Sequence, residues 1–140
     1  MSTGQMKPSV LNLQRLSFAE IKYSRDLSAP LETEYEMNFN RNISTYEDPT
    51  HFRVALTANI WSKNEKSIKL TVTLVGFFTC DCEDEAIKTN LVNNNTIAIL
   101  FPYLRSQISL VTTQPDIPPI TLPPMNIVAM FQEAEQQNNQ

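Results

Sequence analysis

A chain of 140 residues with 41% hydrophobic side chains has the size of one globular domain with a real core. Its formal net charge of -4 argues against a nucleic-acid partner, because binding phosphates needs a basic surface. The polar start MSTGQMKPS lacks an apolar signal-peptide region, and no apolar run reaches the ~18 residues of a membrane span, so a cytoplasmic protein without direct membrane insertion is expected.

Along the chain, the polar residues 1–9 are expected to be disordered. SVLNLQRLSFAEIKYSRD then alternates at Leu11 and Leu13 but shifts phase at Leu16, Phe18, Ile21 and Tyr23. A bulge or bend near Arg15 to Phe18 of a first strand would account for the shift. In LETEYEMNF, Leu31, Thr33, Tyr35, Met37 and Phe39 alternate with acids and an amide, which predicts a strand over 31–39 with one covered face. HFRVALTANIW repeats the pattern with Phe52, Val54, Leu56, Ala58 and Ile60 on one face. After the polar turn SKNEK, SIKLTVTLVGFF places Ile68, Leu70, Val72 and Leu74 together, a hairpin signature. Val75, Phe77 and Phe78 make both faces of that strand apolar, as in a central or interface strand.

Beyond Asp84 the period becomes helical. Ile97, Leu100, Phe101, Leu104, Ile108 and Val111 form one stripe, and Ile99, Tyr103 and Leu110 a second. One stripe suffices for a surface helix. Two indicate either depth in a monomer core or, as we favour for so short a chain, an oligomer interface through Ile99, Phe101, Tyr103 and Leu110. Pro102 either kinks this helix or occupies the first turn of one that starts late; the stripe beginning at Ile97 favours the kink. Five of the nine prolines fall in PDIPPITLPPMN, residues 115–126, interleaved with Ile117, Ile120, Leu122 and Met125. Asn126 then caps a short helix with Ile127, Met130 and Phe131 on one face. The polar residues 135–140 are expected to be disordered. Strands followed by helices make an α+β domain spanning 1–140, a four-stranded antiparallel sheet with a long helix and a short C-terminal helix on one side.

No catalytic constellation emerges. Cys80 and Cys82 form a CxC without the further N/S ligands a metal site needs, and His51 is the only histidine. With only Gly4 and Gly76 there is no phosphate-cradling loop. No cofactor, metal or enzymatic activity is expected, and apolar surface is what remains to carry function. A groove for unfolded client peptides is expected between the proline strap, the short helix and exposed sheet residues, lined by Ile120, Leu122, Ile127, Met130 and Phe131, with Phe39, Trp61 and Phe78. Core packing is the alternative role for each of these side chains.

The stretch LFPYLR, residues 100–105, followed by PPITLPPMNIVAMF, residues 118–131, resembles the C-terminal half of the SecB protein-export chaperones. Phe101, Pro102, Tyr103 and Arg105 match that family's helix motif; Pro118, Leu122, Pro124, Asn126, Ala129 and Phe131 match its loop and short helix. Gly76 and Phe78 are similar to the end of its third strand. The resemblance implies a homotetramer, a dimer of dimers built on the long helix. It implies an ATP-independent holdase that binds unfolded preproteins and passes them to the translocase motor ATPase, with Glu20 as a docking acid. The sequence departs from the family at Leu104, Ser106, Thr71 and Val128. Some SecB-like proteins instead guard an antitoxin, the alternative client class, and a non-catalytic oligomeric binding protein is a further reading.

Overall fold

In the computed structural model, which describes residues 10–123 and 125–138, the alternating segments become β1 (Leu11–Arg25), β2 (Tyr35–Thr45), β3 (His51–Ser62) and β4 (Ile68–Cys80). They form one antiparallel sheet in the order β1-β4-β3-β2. Side chains make the turns. Asp48 Oδ1 accepts from the Thr50 N–H at 2.9 Å and from its hydroxyl at 2.6 Å, while Asn64 Oδ1 accepts from the N–H groups of Lys66 and Ser67 at 3.1 Å each. Such side-chain turns replace a ladder that must reverse direction.

One face of the sheet is dry. Phe52, Val54, Leu56, Ala58 and Ile60 of β3 and Ile68, Leu70, Val72 and Leu74 of β4 are all buried. Phe52 stacks on Phe78 across the two strands, with ring centroids 5.5 Å apart. β4 lies between β1 and β3, and Val75 and Phe77 on its outer face are half-buried.

β1 slips register twice against β4, between Leu13 and Arg15 and again between Phe18 and Glu20, so the phase shift near Arg15 to Phe18 comes from two irregularities, one at each end of that stretch. Each slip adds one unpaired residue, Gln14 and Ala19. Together they keep Leu13, Leu16, Phe18, Ile21 and Tyr23 opposite Phe78, Gly76, Leu74, Val72 and Leu70 on the covered face. β2 begins at Tyr35, not at Leu31. Tyr35 already faces Ser62, the last residue of β3, and after the Lys63 N–H bond to Glu34 O (2.9 Å) the hairpin turns away, so residues 31–33 have no strand to join. At its other end β2 continues to Thr45, opposite Phe52.

The helical part starts earlier than its apolar stripe suggests. Asp84 caps α1 (Glu85–Asn90), its Oδ1 accepting from the N–H groups of Ala86 and Ile87 at 3.0 and 3.2 Å. A π-helical turn over Leu91–Asn95 leads without a break into α2 (Thr96–Val111). Pro102 lies inside α2, which excludes a helix starting at the proline; having no N–H, Pro102 donates nothing to the carbonyl of Ala98. Ile97, Leu100, Phe101, Leu104 and Ile108 of α2 are buried, and the helix packs across β3 and β4. The approach is closest at Gly76, where an added Cβ would lie 2.6 Å from Phe78 Cε2 and 2.7 Å from Leu100 Cδ2. α3 (Ile127–Asn138) is capped by Asn126 Oδ1, which accepts from the Ala129 N–H at 3.0 Å. It runs to Asn138, so part of the C-terminal segment expected to be disordered is helical; residues 1–9, 139 and 140 lie outside the described residues.

Candidate client-binding groove

The proline strap is pinned from above and below. Ile117, Ile120 and Leu122 point into the protein and are buried, whereas Pro118, Pro119 and Pro123 are exposed. Its backbone is held by α2: Thr112 Oγ1 accepts from the Ile120 N–H at 2.8 Å and donates to Ile108 O at 2.7 Å, and Ser109 Oγ donates to Ile120 O at 3.1 Å. Proline prevents the segment from adding to the sheet, and the apolar side chains between the prolines act as pegs.

Beside the pegs a groove opens along α2. Its larger part, about 560 Å³, is lined by Ala98, Phe101, Pro102, Met125, Asn126, Ile127 and Val128, a set without a charged side chain. A second part, about 500 Å³, shares Phe101 and Pro102 and continues past Arg105, Ser106 and Ser109 to Thr121. Ala98, Pro102, Ser106 and Ser109 recur at helical spacing, and short side chains in a row leave a trough between α2 and the strap. Met130 on α3 is 44% exposed and lines neither part. α3 is held over β2 by Arg41. Its guanidinium pairs with Glu135, donates from Nη1 to Asn93 O in the π-helical turn at 2.6 Å, and lies 4.9 Å from the Phe131 ring centroid.

The structure sorts the expected groove residues into three groups. Ile120, Leu122, Ile127 and Phe78 are core residues with exposures of 6% or less, so their side chains offer a client almost no surface; only Ile127 reaches the groove lining. Phe39, Phe131 and Met130 lie on the helix side of the sheet: Phe39 meets Phe101 edge-on at 6.0 Å, and Phe131 sits under Arg41. Trp61 is elsewhere. It pairs with Glu36 and Lys69 on the opposite face of the sheet, because odd residues of β3 face away from the helices. Sequence analysis left Phe101 and Val128 off the groove list, and among the other missed lining residues Ala98, Pro102 and Ser106 carry little hydrophobic signal. Their helical spacing is the signal that would have found them.

Of the expected interface residues, Tyr103 (50% exposed) and Leu110 (67%) project outward with half-buried Ile99, about 90° round α2 from the groove stripe. Phe101 does not join them; it is buried against Phe39 because its position on α2 faces the sheet. Glu20 pairs with Thr73 on the outer sheet face, one alternate position from Lys22. Asp26 and Asp48 are held below the usual carboxylate range, chiefly by hydrogen bonds from Ser28 and Thr50 respectively; both anchor turns and lie away from the groove. Among the described residues no three His, Cys, Asp or Glu side chains group as a metal site would require.

A sequence profile of the family described as preprotein translocase subunit SecB matches residues 4–138. The chain belongs to the SecB family. Members of this family are chaperones for polypeptide clients, not enzymes, and SecB-like proteins share the fold seen here. The protein-export protein SecB of Acinetobacter baylyi is 28% identical over 137 residues, covering 94% of this SecB-family chain and 91% of that protein. An uncharacterized protein of Methanocaldococcus jannaschii is 32% identical over 106 residues, 72% of this chain; the match spans 64% of that protein. A solved Mycobacterium tuberculosis SecB-like chaperone, in complex with a ChAD peptide from the HigA1 antitoxin, superposes with a TM-score of 0.67 at 16% identity, over 82% of this chain and 87% of that one. No described helix is long and apolar enough to cross a membrane.

Proposed function

We propose that the protein is an ATP-independent holdase that keeps unfolded preproteins from collapsing or aggregating before export. The observation that supports this best is the uncharged groove between α2 and the strap, about 560 Å³. Unfolded chains offer apolar side chains whose burial is worth ~25 cal/mol per Å². A shallow, adaptable lining that includes Met125 suits many sequences rather than one. Several such grooves on one assembly would add avidity. Ile99, Tyr103 and Leu110 on the free side of α2 support a homotetramer, a dimer of dimers, as that assembly. The protein acts in the cytoplasm on this reading, where its two free thiols stay reduced, and it performs no catalytic step. Hand-over to the translocase motor ATPase would use Glu20 on the outer sheet face.

The second reading is a chaperone dedicated to an antitoxin. The solved chaperone of the same fold holding an antitoxin peptide favours it. A single experiment separates the two. The full chain is mixed with a chemically unfolded preprotein, and separately with an antitoxin tail peptide, while light scattering and native mass spectrometry are recorded. The holdase reading expects suppression of preprotein aggregation without ATP and a tetramer with bound client. Binding of the tail peptide alone supports the dedicated chaperone, and a monomer that ignores both sinks both readings.

A further inference from the structure

The outer face of the sheet, opposite the helices, is composed of rows that cross the strands. One row is Arg15–Phe77–Arg53–Ser44, the next Ser17–Val75–Ala55–Asn42, and the next Glu20–Thr73–Thr57–Asn40. The two rows beginning at Arg15 and Ser17 contain no acid; Glu20 lies two rows or about 13 Å along, Asp81 as far beyond Phe77 past the end of β4, and Asp48 at the near end is engaged by His51 and Thr50. Arg15 and Arg53 are exposed and flank half-buried Phe77. The Arg15 guanidinium lies 4.2 Å from the Phe77 ring centroid. Among the described residues neither arginine has an ion pair, in contrast to Arg25 and Arg41, which hold Asp116 and Glu135. In a chain of net charge -4, two unpaired guanidinium groups astride an aromatic ring are a local reversal of sign.

We propose that this row is a docking site for an extended acidic segment of a partner protein. The carboxylates pair with Arg15 and Arg53, and an apolar side chain on the same face of the segment, two residues from each acid, rests on Phe77, Val75 and Ala55. The charge decides the kind of partner. Guanidinium forks match carboxylates in bidentate geometry and stack on aromatic rings. The two Cα positions are about 10 Å apart, two strand spacings, and the long arginine side chains reach acids four residues, about 13 Å, apart in an extended peptide. The overall negative charge disfavours nucleic acid as the occupant. The site lies across the sheet from the groove, so it does not depend on the holdase reading.

The test uses the full chain and two fluorescent nonapeptides in which every second residue is Ser and the others alternate between a charged residue and Leu, one with Glu and one with Lys at the charged positions, followed by anisotropy. The Glu peptide is expected to bind, to weaken as salt rises, and to lose about tenfold or more in affinity to Arg15→Glu/Arg53→Glu. Suppression of client aggregation by that variant stays unchanged. Arg15→Gln/Arg53→Gln, which adds no charge to the sheet, serves if the double reversal does not fold, and it is expected to weaken binding in the same direction. The proposal is overturned if the Lys peptide binds as tightly, or if the folded variants bind the Glu peptide like the parent. It is also overturned if only a single-stranded oligonucleotide binds through the two arginines, or if they prove to hold a second copy of the chain, seen as a concentration-dependent mass that both variants abolish.

Discussion

Shortening Leu122 to alanine tests whether the proline strap is a core element or a movable groove wall. Leu122 is 0% exposed within the main hydrophobic cluster. Leu→Ala removes three buried carbons, a transfer loss of about 2.4 kcal/mol at ~0.8 kcal/mol per buried methylene. A cavity adds to this, which brings the expected cost to roughly 3–5 kcal/mol. The upper part of that range applies because prolines flank the peg and Thr112 and Ser109 tie the backbone at Ile120, so the strap cannot collapse into the space. For a domain whose whole stability is of order 5–15 kcal/mol, such a loss is large. Equilibrium urea unfolding at fixed protein concentration, followed by Trp61 fluorescence, measures it; Trp61 lies on the far face of the sheet and reports the global transition. The midpoint should fall with the m-value unchanged. A loss below about 1 kcal/mol with an intact m-value would refute the packing argument and return the strap to the role of a loose wall.

Met130→Ser, at an exposed position, is expected to leave stability within about 0.5 kcal/mol while weakening capture of an unfolded client, read from aggregation light scattering. Unchanged capture would remove Met130 from the client-contacting surface. Gly76→Ala should cost about 1–3 kcal/mol in urea unfolding, since its Cβ meets Phe78 and Leu100, both buried and unable to step aside freely; a neutral result would mean that α2 shifts along the sheet at little cost. Arg41→Ala should speed amide hydrogen exchange across α3 ahead of the sheet, because it frees Asn93 O, Glu135 and Phe131 at once. Uniform exchange would argue that packing alone holds α3. Burial, with Cys82 nearby, pushes the Cys80 thiol up. A thiol raised in the folded state makes stability fall as pH climbs past the unfolded thiol value near 8.5. Iodoacetamide at pH 8 should therefore label Cys82 but spare Cys80 until urea is added; equal labelling of both in the native protein would contradict the buried placement.

Much of the architecture could be read from residue types alone. Period two in β3 and β4 and helical spacing from Ile97 to Ile108 are local properties, and each side chain's face follows from its position in the repeat. The motif around Phe101, Pro102, Tyr103 and Arg105 carried the family for the same reason. What the sequence left undecided was which of two buried or half-buried roles an apolar residue takes. Ile120 and Leu122 suit a groove wall as well as a core peg, and the fold decides for the core, with the Ile120 N–H donating to Thr112 Oγ1 and the Ser109 hydroxyl donating to Ile120 O to hold the strap against α2. Phe101 and Tyr103, two residues apart on one helix, part company because the sheet lies on one side of α2 only. Trp61 left the groove side through strand parity, which turns its side chain to the far face of the sheet. Likewise Arg15, Phe77 and Arg53 are distant in sequence and meet only because β1, β4 and β3 lie side by side. Periodicity determines which way a side chain points within its own element; what it points at depends on contacts between residues far apart in the chain, and these exist only once the sheet and helices have packed.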